Sequence, residues 1–170
     1  MKRETDCCFT GPRPPRLPAG GREDAPEMLE LKEKLRLAVR MAYDDGYRAF
    51  ICGMAEGFDL LAAEAVLELC SKFPDAHLVA AFPSPESRTH HSLPVRERIE
   101  RITAGAGLIC YCRKSYVKGC ELERNAFMVR SCSRIIGYYN GLSNGTAHCW
   151  KLALSQRLET VNLYDGKIFE

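Results

Sequence analysis

From Phe50 the chain reads Phe-Ile-Cys-Gly-Met-Ala-Glu-Gly-Phe-Asp59, then Leu-Leu-Ala-Ala-Glu-Ala-Val-Leu-Glu-Leu69. This stretch constrains the fold more than any other. Tyr47 to Cys52 is a short apolar run, the mark of a buried strand. After the glycines, Leu61, Ala62, Ala65, Val66 and Leu69 recur at helical spacing. A strand that stops on Gly53 and Gly57 and restarts as a helix presents backbone N–H groups at a helix N-terminus. That is an anion or phosphate site in waiting. The two glycines, with Met54 between them, would let a ligand approach the main chain without a Cβ in the way. Asp59 lies about 140° from Glu64 at about 100° per residue, away from the wet face marked by Glu64, Glu68, Ser71 and Lys72. It reads equally as an N-cap and as a ligand contact. The spacing is neither the G-x-G-x-x-G fingerprint nor a P-loop.

The same grammar recurs along the chain. Asp6–Thr10 is a short first strand that breaks at Thr10-Gly-Pro-Arg-Pro14. Pro12, Pro14, Pro15, Pro18, Gly20 and Gly21 then make a long stiff loop. Arg13, held between two prolines, reads as an anion clamp or as a solvated loop charge. A helix follows with Asp24 as its cap, Pro26 in its first turn, a stripe of Met28, Leu31, Leu35, Val39 and Ala42, and Gly46 at its end. Pro74 stops the second helix, and His77–Phe82 is the third strand. In the loop that follows, His90 and His91 read as exposed, since adjacent histidines do not easily face one site. From Pro94 a short helix sets Val95, Ile99 and Ile102 inward and Arg96, Arg98 and Arg101 outward. Leu108–Cys112 is the fourth strand, followed by a basic loop, Arg113–Lys118. A helix from about Cys120 to Cys132 carries Glu121, Arg124, Asn125 and Met128 on one face. Arg134–Tyr139 is the fifth strand. Its turn, Asn140–Thr146, opens a helix from Ala147 and offers the Gly145 amide and the Thr146 hydroxyl to a phosphate. Thr160–Tyr164 is the last strand.

Strands alternating with helices predict an α/β fold of Rossmann-like, three-layer α/β/α type, with a mainly parallel sheet of about six strands. In such sheets the ligand sits beyond the C-terminal strand ends, where Thr10-Gly11 and Gly53 both fall. At 170 residues, one domain covering 1–170 is expected. No apolar run approaches a membrane span, and the first six residues lack an apolar signal region, so a cytosolic protein without a membrane partner is expected. The net charge of +2 neither demands nor excludes nucleic acid. The nine cysteines include no C-x-x-C pair and read as reduced thiols serving as small apolar residues. Cys110 and Cys112 lack a zinc-like cluster. No cofactor and no metal site is expected.

Thr10-Gly-Pro-Arg-Pro14, together with Gly53-Met-Ala-Glu-Gly-Phe-Asp59 and Ala62-Ala63-Glu64, resembles the SLOG superfamily. That superfamily includes the DNA-processing protein DprA (Smf), the LOG phosphoribohydrolases and small single-domain bacterial proteins of unknown function. The last are the most similar, reading T-G-H-R-P and G-M-A-x-G-x-D at these places and G-C-x-x-x-R-N-x-x-M where this chain has Gly119, Cys120, Arg124, Asn125 and Met128. Pro12 replaces their histidine. Asn144-Gly145-Thr146 is similar to the SLOG G-G-T motif. The LOG enzymes place a catalytic glutamate three residues past that threonine, where this chain has Cys149. The resemblance implies a cytoplasmic domain for a nucleotide-like small molecule, with Thr10, Gly11, Arg13, Gly53, Met54, Gly57, Asp59, Arg124, Asn125, Gly145 and Thr146 at the site. By analogy phosphate rests on Gly145-Thr146 and Gly53, Asp59 bonds a ribose hydroxyl or caps its helix, and Arg13 clamps charge. It leaves room for a homodimer. The alternatives are an N-glycosidic hydrolase or transferase on nucleoside phosphates, with Glu56, Asp59 and Glu121 as its only candidate carboxylates, and a less favoured single-stranded DNA module.

Overall fold

Successive side chains along a buried strand point to opposite faces, and here both faces are apolar. Cys7 and Phe9, Phe50 and Cys52, and Leu78, Ala80 and Phe82 enter one core layer. Cys8, Ile51, Val79, Ala81 and Ile135 enter the other. The computed structural model describes residues 3–142 and 145–164. Its strands are β1 (Asp6–Thr10), β2 (Ala49–Cys52), β3 (His77–Phe82), β4 (Leu108–Tyr111), β5 (Arg134–Gly137) and β6 (Glu159–Asn162). They form one sheet in the order β4-β3-β2-β1-β5-β6, and every pairing is parallel. The expected α/β/α architecture with a six-stranded parallel sheet is what the chain adopts.

The helices are α1 (Pro26–Asp44), α2 (Phe58–Lys72), α3 (Leu93–Ala104), α4 (Cys120–Ser131) and α5 (Gly145–Ser155). Helices α1, α2 and α3 cover one face of the sheet; α4 and α5 cover the other. Helix α2 is apolar almost all round. Its small residues Ala62, Ala63 and Ala65 let it sit deep between the sheet and its neighbours. Helix α1 ends in a Schellman motif. The Tyr47 N–H reaches the Ala42 carbonyl and the Gly46 N–H reaches that of Tyr43, both at 3.0 Å, with Gly46 at φ 100°.

Several boundaries differ from expectation. The N-cap of α1 is Ala25, not Asp24, because Pro26 takes the first helical position. Strand β2 begins at Ala49, since Tyr47 is spent on the α1 stop. Strands β5 and β6 end two residues early, at Gly137 and Asn162. The proline-rich loop is not structureless: Pro14–Arg16 and Pro18–Gly21 form short 3-10 turns. Arg98 does not lie on a solvated face. It spans Glu64 Oε1 and Oε2 at 2.7 and 2.6 Å and Glu23 Oε1 at 2.5 Å, tying α3 to α2 and to the loop before α1. Among the described residues, no helix is long and apolar enough to cross a membrane.

Candidate functional site

Strand order reverses between β1 and β5, and ligand crevices of open α/β sheets lie at such a switch point, beyond the carboxyl strand ends. The cleft is there. Its first compartment, about 280 Å³, is walled by Phe9, Thr10 and Gly11 at the end of β1, by Arg13 and Pro15 of the proline loop, and by Asp59 of α2. Glu121, Leu122, Arg124 and Asn125 of α4 close it, with Gly145 and Thr146 at the start of α5. A second compartment of about 290 Å³ adjoins it, lined by Gly53, Met54 and Glu56, by Phe82, Ser87, His90 and His91, and by Tyr116. Arg13, Ala55, Glu121 and Arg124 border both.

The three glycine turns therefore meet at one rim, but they are not equally open. At Gly53 a side chain would collide with the Arg124 guanidinium and, at 2.6 Å, with Asp59 Oδ2. The bare backbone there admits the chain's own charged groups and not a ligand. Gly57, at φ 102°, lines neither compartment, because the Pro12 carbonyl lies 2.6 Å from where its Cβ would be. That carbonyl also accepts the Phe58 N–H at 3.2 Å, so the proline loop itself covers the start of α2. The Phe58 ring in turn occupies the space a side chain on Gly11 would need. Only at Gly145 is nothing within 4 Å of the Cβ position. The start of α5 is the open amide site of the three. Asn144, expected beside it, lies outside the described residues.

Asp59 is not an N-cap. Gly57 holds that position with no side-chain cap bond, and Asp59 Oδ2 instead accepts the Ala55 N–H at 3.3 Å. Only 7% exposed, its carboxyl is raised above the ordinary 3.8 by burial; the nearby Arg124 charge, the Ala55 bond and Arg13 oppose the shift. Arg124 is 5% exposed, which removes the reading of Arg124 and Asn125 as an exposed polar pair. Its Nη1 donates to the Ala81 carbonyl of β3 at 3.3 Å and its Nε to Asn125 Oδ1 at 2.9 Å. A buried guanidinium bordering both compartments is the dominant fixed charge of the cleft.

His90 and His91 correct a second expectation: both line the second compartment. The turn Pro85–Arg88 folds their loop back over the ends of β2 and β3, which neighbour spacing along the chain does not reveal. Burial, and then the Arg13 charge, lower the His91 pKa below its usual range, while Glu56 opposes the shift. Phe9, Pro15, Leu122, Ser87 and Tyr116 were also not foreseen as cleft residues. Tyr116 alone carried a signal, as the aromatic in a basic loop. Cys149 is 1% exposed and packs in the core between sheet and helices, so it supplies nothing to the cleft.

A parallel six-stranded sheet with its cleft at the switch point and an open helix start beside it defines a Rossmann-like α/β domain of the ligand-binding kind. The chain belongs to the YspA SLOG family (YpsA), whose profile matches residues 7–166. No curated protein matches it. Among solved structures it is similar to DNA processing protein A from Helicobacter pylori, described by its single-stranded DNA binding mode, at 19% identity and a TM-score of 0.62. It is likewise similar to DprA from Streptococcus pneumoniae, at 12% identity and a TM-score of 0.63. Each alignment covers 92% of this chain but only 64% and 49% of those chains. At such identities the likeness is one of fold.

Proposed function

We propose that this protein binds a nucleotide or nucleotide-derived small molecule in the first compartment of the cleft. The observation that carries this reading is the pairing of the open α5 start with the buried Arg124 across one cavity. Backbone amides and the helix dipole favour a phosphate at Gly145 and Thr146, and the hydroxyls of Thr10 and Thr146 add donors. Phe9, Pro15 and Leu122 give an apolar wall for a base or ribose. The mutual placement of Arg124 and Asp59 keeps the guanidinium fixed before any ligand arrives, so little ordering is needed on binding.

Isothermal titration calorimetry against nucleoside mono- and diphosphates and cyclic nucleotides tests the reading. Binding that Gly145→Val weakens by about tenfold or more, by filling the open amide site, is the expected result. Silence across the panel from folded protein overturns it. The fold likeness to DprA keeps single-stranded DNA as the second reading. A salt-dependent shift of a labelled oligonucleotide, competed by nucleotide, would move the assignment there.

A further inference from the structure

The second compartment is not a continuation of the phosphate site, because its chemistry is different. Arg13 and Arg124 stand at the junction between the compartments. Beyond that junction the walls carry Glu56 and Glu121, the imidazoles of His90 and His91, and the Ser87 and Tyr116 hydroxyls. Two carboxylates repel a further phosphate, since like charges close together in a partly desolvated space are strongly unfavourable. The same carboxylates accept hydrogen bonds from neighbouring hydroxyls with the added strength of a charged acceptor. The lowered His91 adds a neutral imidazole that both donates and accepts. The two spaces are close in size, about 280 and 290 Å³, so the second can hold a group comparable to what fills the first.

We infer that the cleft takes a nucleoside diphosphate capped on its outer phosphate by a neutral, hydroxyl-rich group such as a sugar. The nucleoside lies in the first compartment, the diphosphate passes the junction at Arg13 and Arg124, and the polyol end meets Glu56, Glu121 and His91. The inference rests on the reading given under Proposed function and narrows it. It discriminates by charge: a third phosphate would enter the carboxylate-lined space, whereas a sugar would be welcomed there.

Calorimetry with base-matched sets tests this: ADP, ATP and ADP-ribose; GDP, GTP and GDP-mannose; UDP, UTP and UDP-glucose. In at least one set the sugar-capped diphosphate is expected to bind about tenfold more tightly than the diphosphate, with the triphosphate the weakest of the three. In that set Glu56→Gln, which keeps the side chain's shape and removes its charge, is expected to narrow the gap between sugar-capped diphosphate and triphosphate by about tenfold. If diphosphates bind but the sugar adds nothing, or the triphosphate binds best, the inference is overturned while the nucleotide reading stands. If no member of any set binds the folded protein, both fall together.

Discussion

Asp59 shows how one residue can serve a site and strain the fold. Its carboxylate is almost wholly buried, holds the Ala55 amide, and faces the Arg124 charge over the bare backbone of Gly53. Burial outweighs both partners, so its pKa in the folded protein is raised. The folded state then binds this proton more tightly than the unfolded chain does. Stability from this group falls as pH rises from about 3.8 through the raised folded value, and the penalty stays constant above it. Asp59→Asn keeps the shape and removes the ionisation. Urea denaturation across a pH series should therefore show the Asn variant gaining on the parent protein as pH climbs from about 4 to 7. Curves that run parallel, or that diverge the other way, would show that the buried carboxyl is not disfavoured. Retaining a disfavoured carboxylate at a cleft wall is the pattern of a residue kept for what it contacts.

Helix α3 is held to α2 by more than its apolar stripe. The guanidinium of Arg98, 21% exposed along its side chain, makes a bidentate pair with Glu64 and a further bond to Glu23. Glu23 is in turn held by Lys32 of α1 at 2.7 Å. The network joins three elements on one face of the sheet. Because the glutamates are more than a third exposed, water screens part of the attraction. Arg98→Met, which keeps most of the stem's packing, is expected to lower stability by about 1–2 kcal/mol. The urea midpoint should fall with the slope unchanged, and the deficit should shrink in high salt. A deficit indifferent to salt would assign the effect to lost packing instead.

Across the molecule, the nine cysteines report how completely the sheet is enclosed. Cys7, Cys8, Cys52, Cys120, Cys132 and Cys149 are buried; Cys70, Cys110 and Cys112 are half-buried. Burial is also the first cause of the raised thiol pKa at each of those last three, and it pushes Cys110 up to about 11. Since only a thiolate attacks a disulfide reagent, native protein at neutral pH should react slowly, and at those three positions alone. Labelling by a thiol-specific disulfide followed by peptide mass spectrometry checks this, with all nine thiols reacting once the chain is unfolded. Rapid native labelling of Cys8 or Cys52 would mean that the sheet opens far more readily than its two covered faces imply.

By itself the sequence determined the alternation of strands and helices, the parallel sheet, and the gathering of glycine turns at one rim. Those follow from apolar periodicity and from where the chain must turn, which are local properties. What only the tertiary structure decided is which turns remain open. The Pro12 carbonyl closes α2, Arg124 and Asp59 fill the space over Gly53, and the α5 start is left free. Arg98 found partners 34 and 75 residues away, and two adjacent histidines came to line one cavity. Such pairings depend on side-chain directions set when distant elements pack, and no spacing along the chain encodes them.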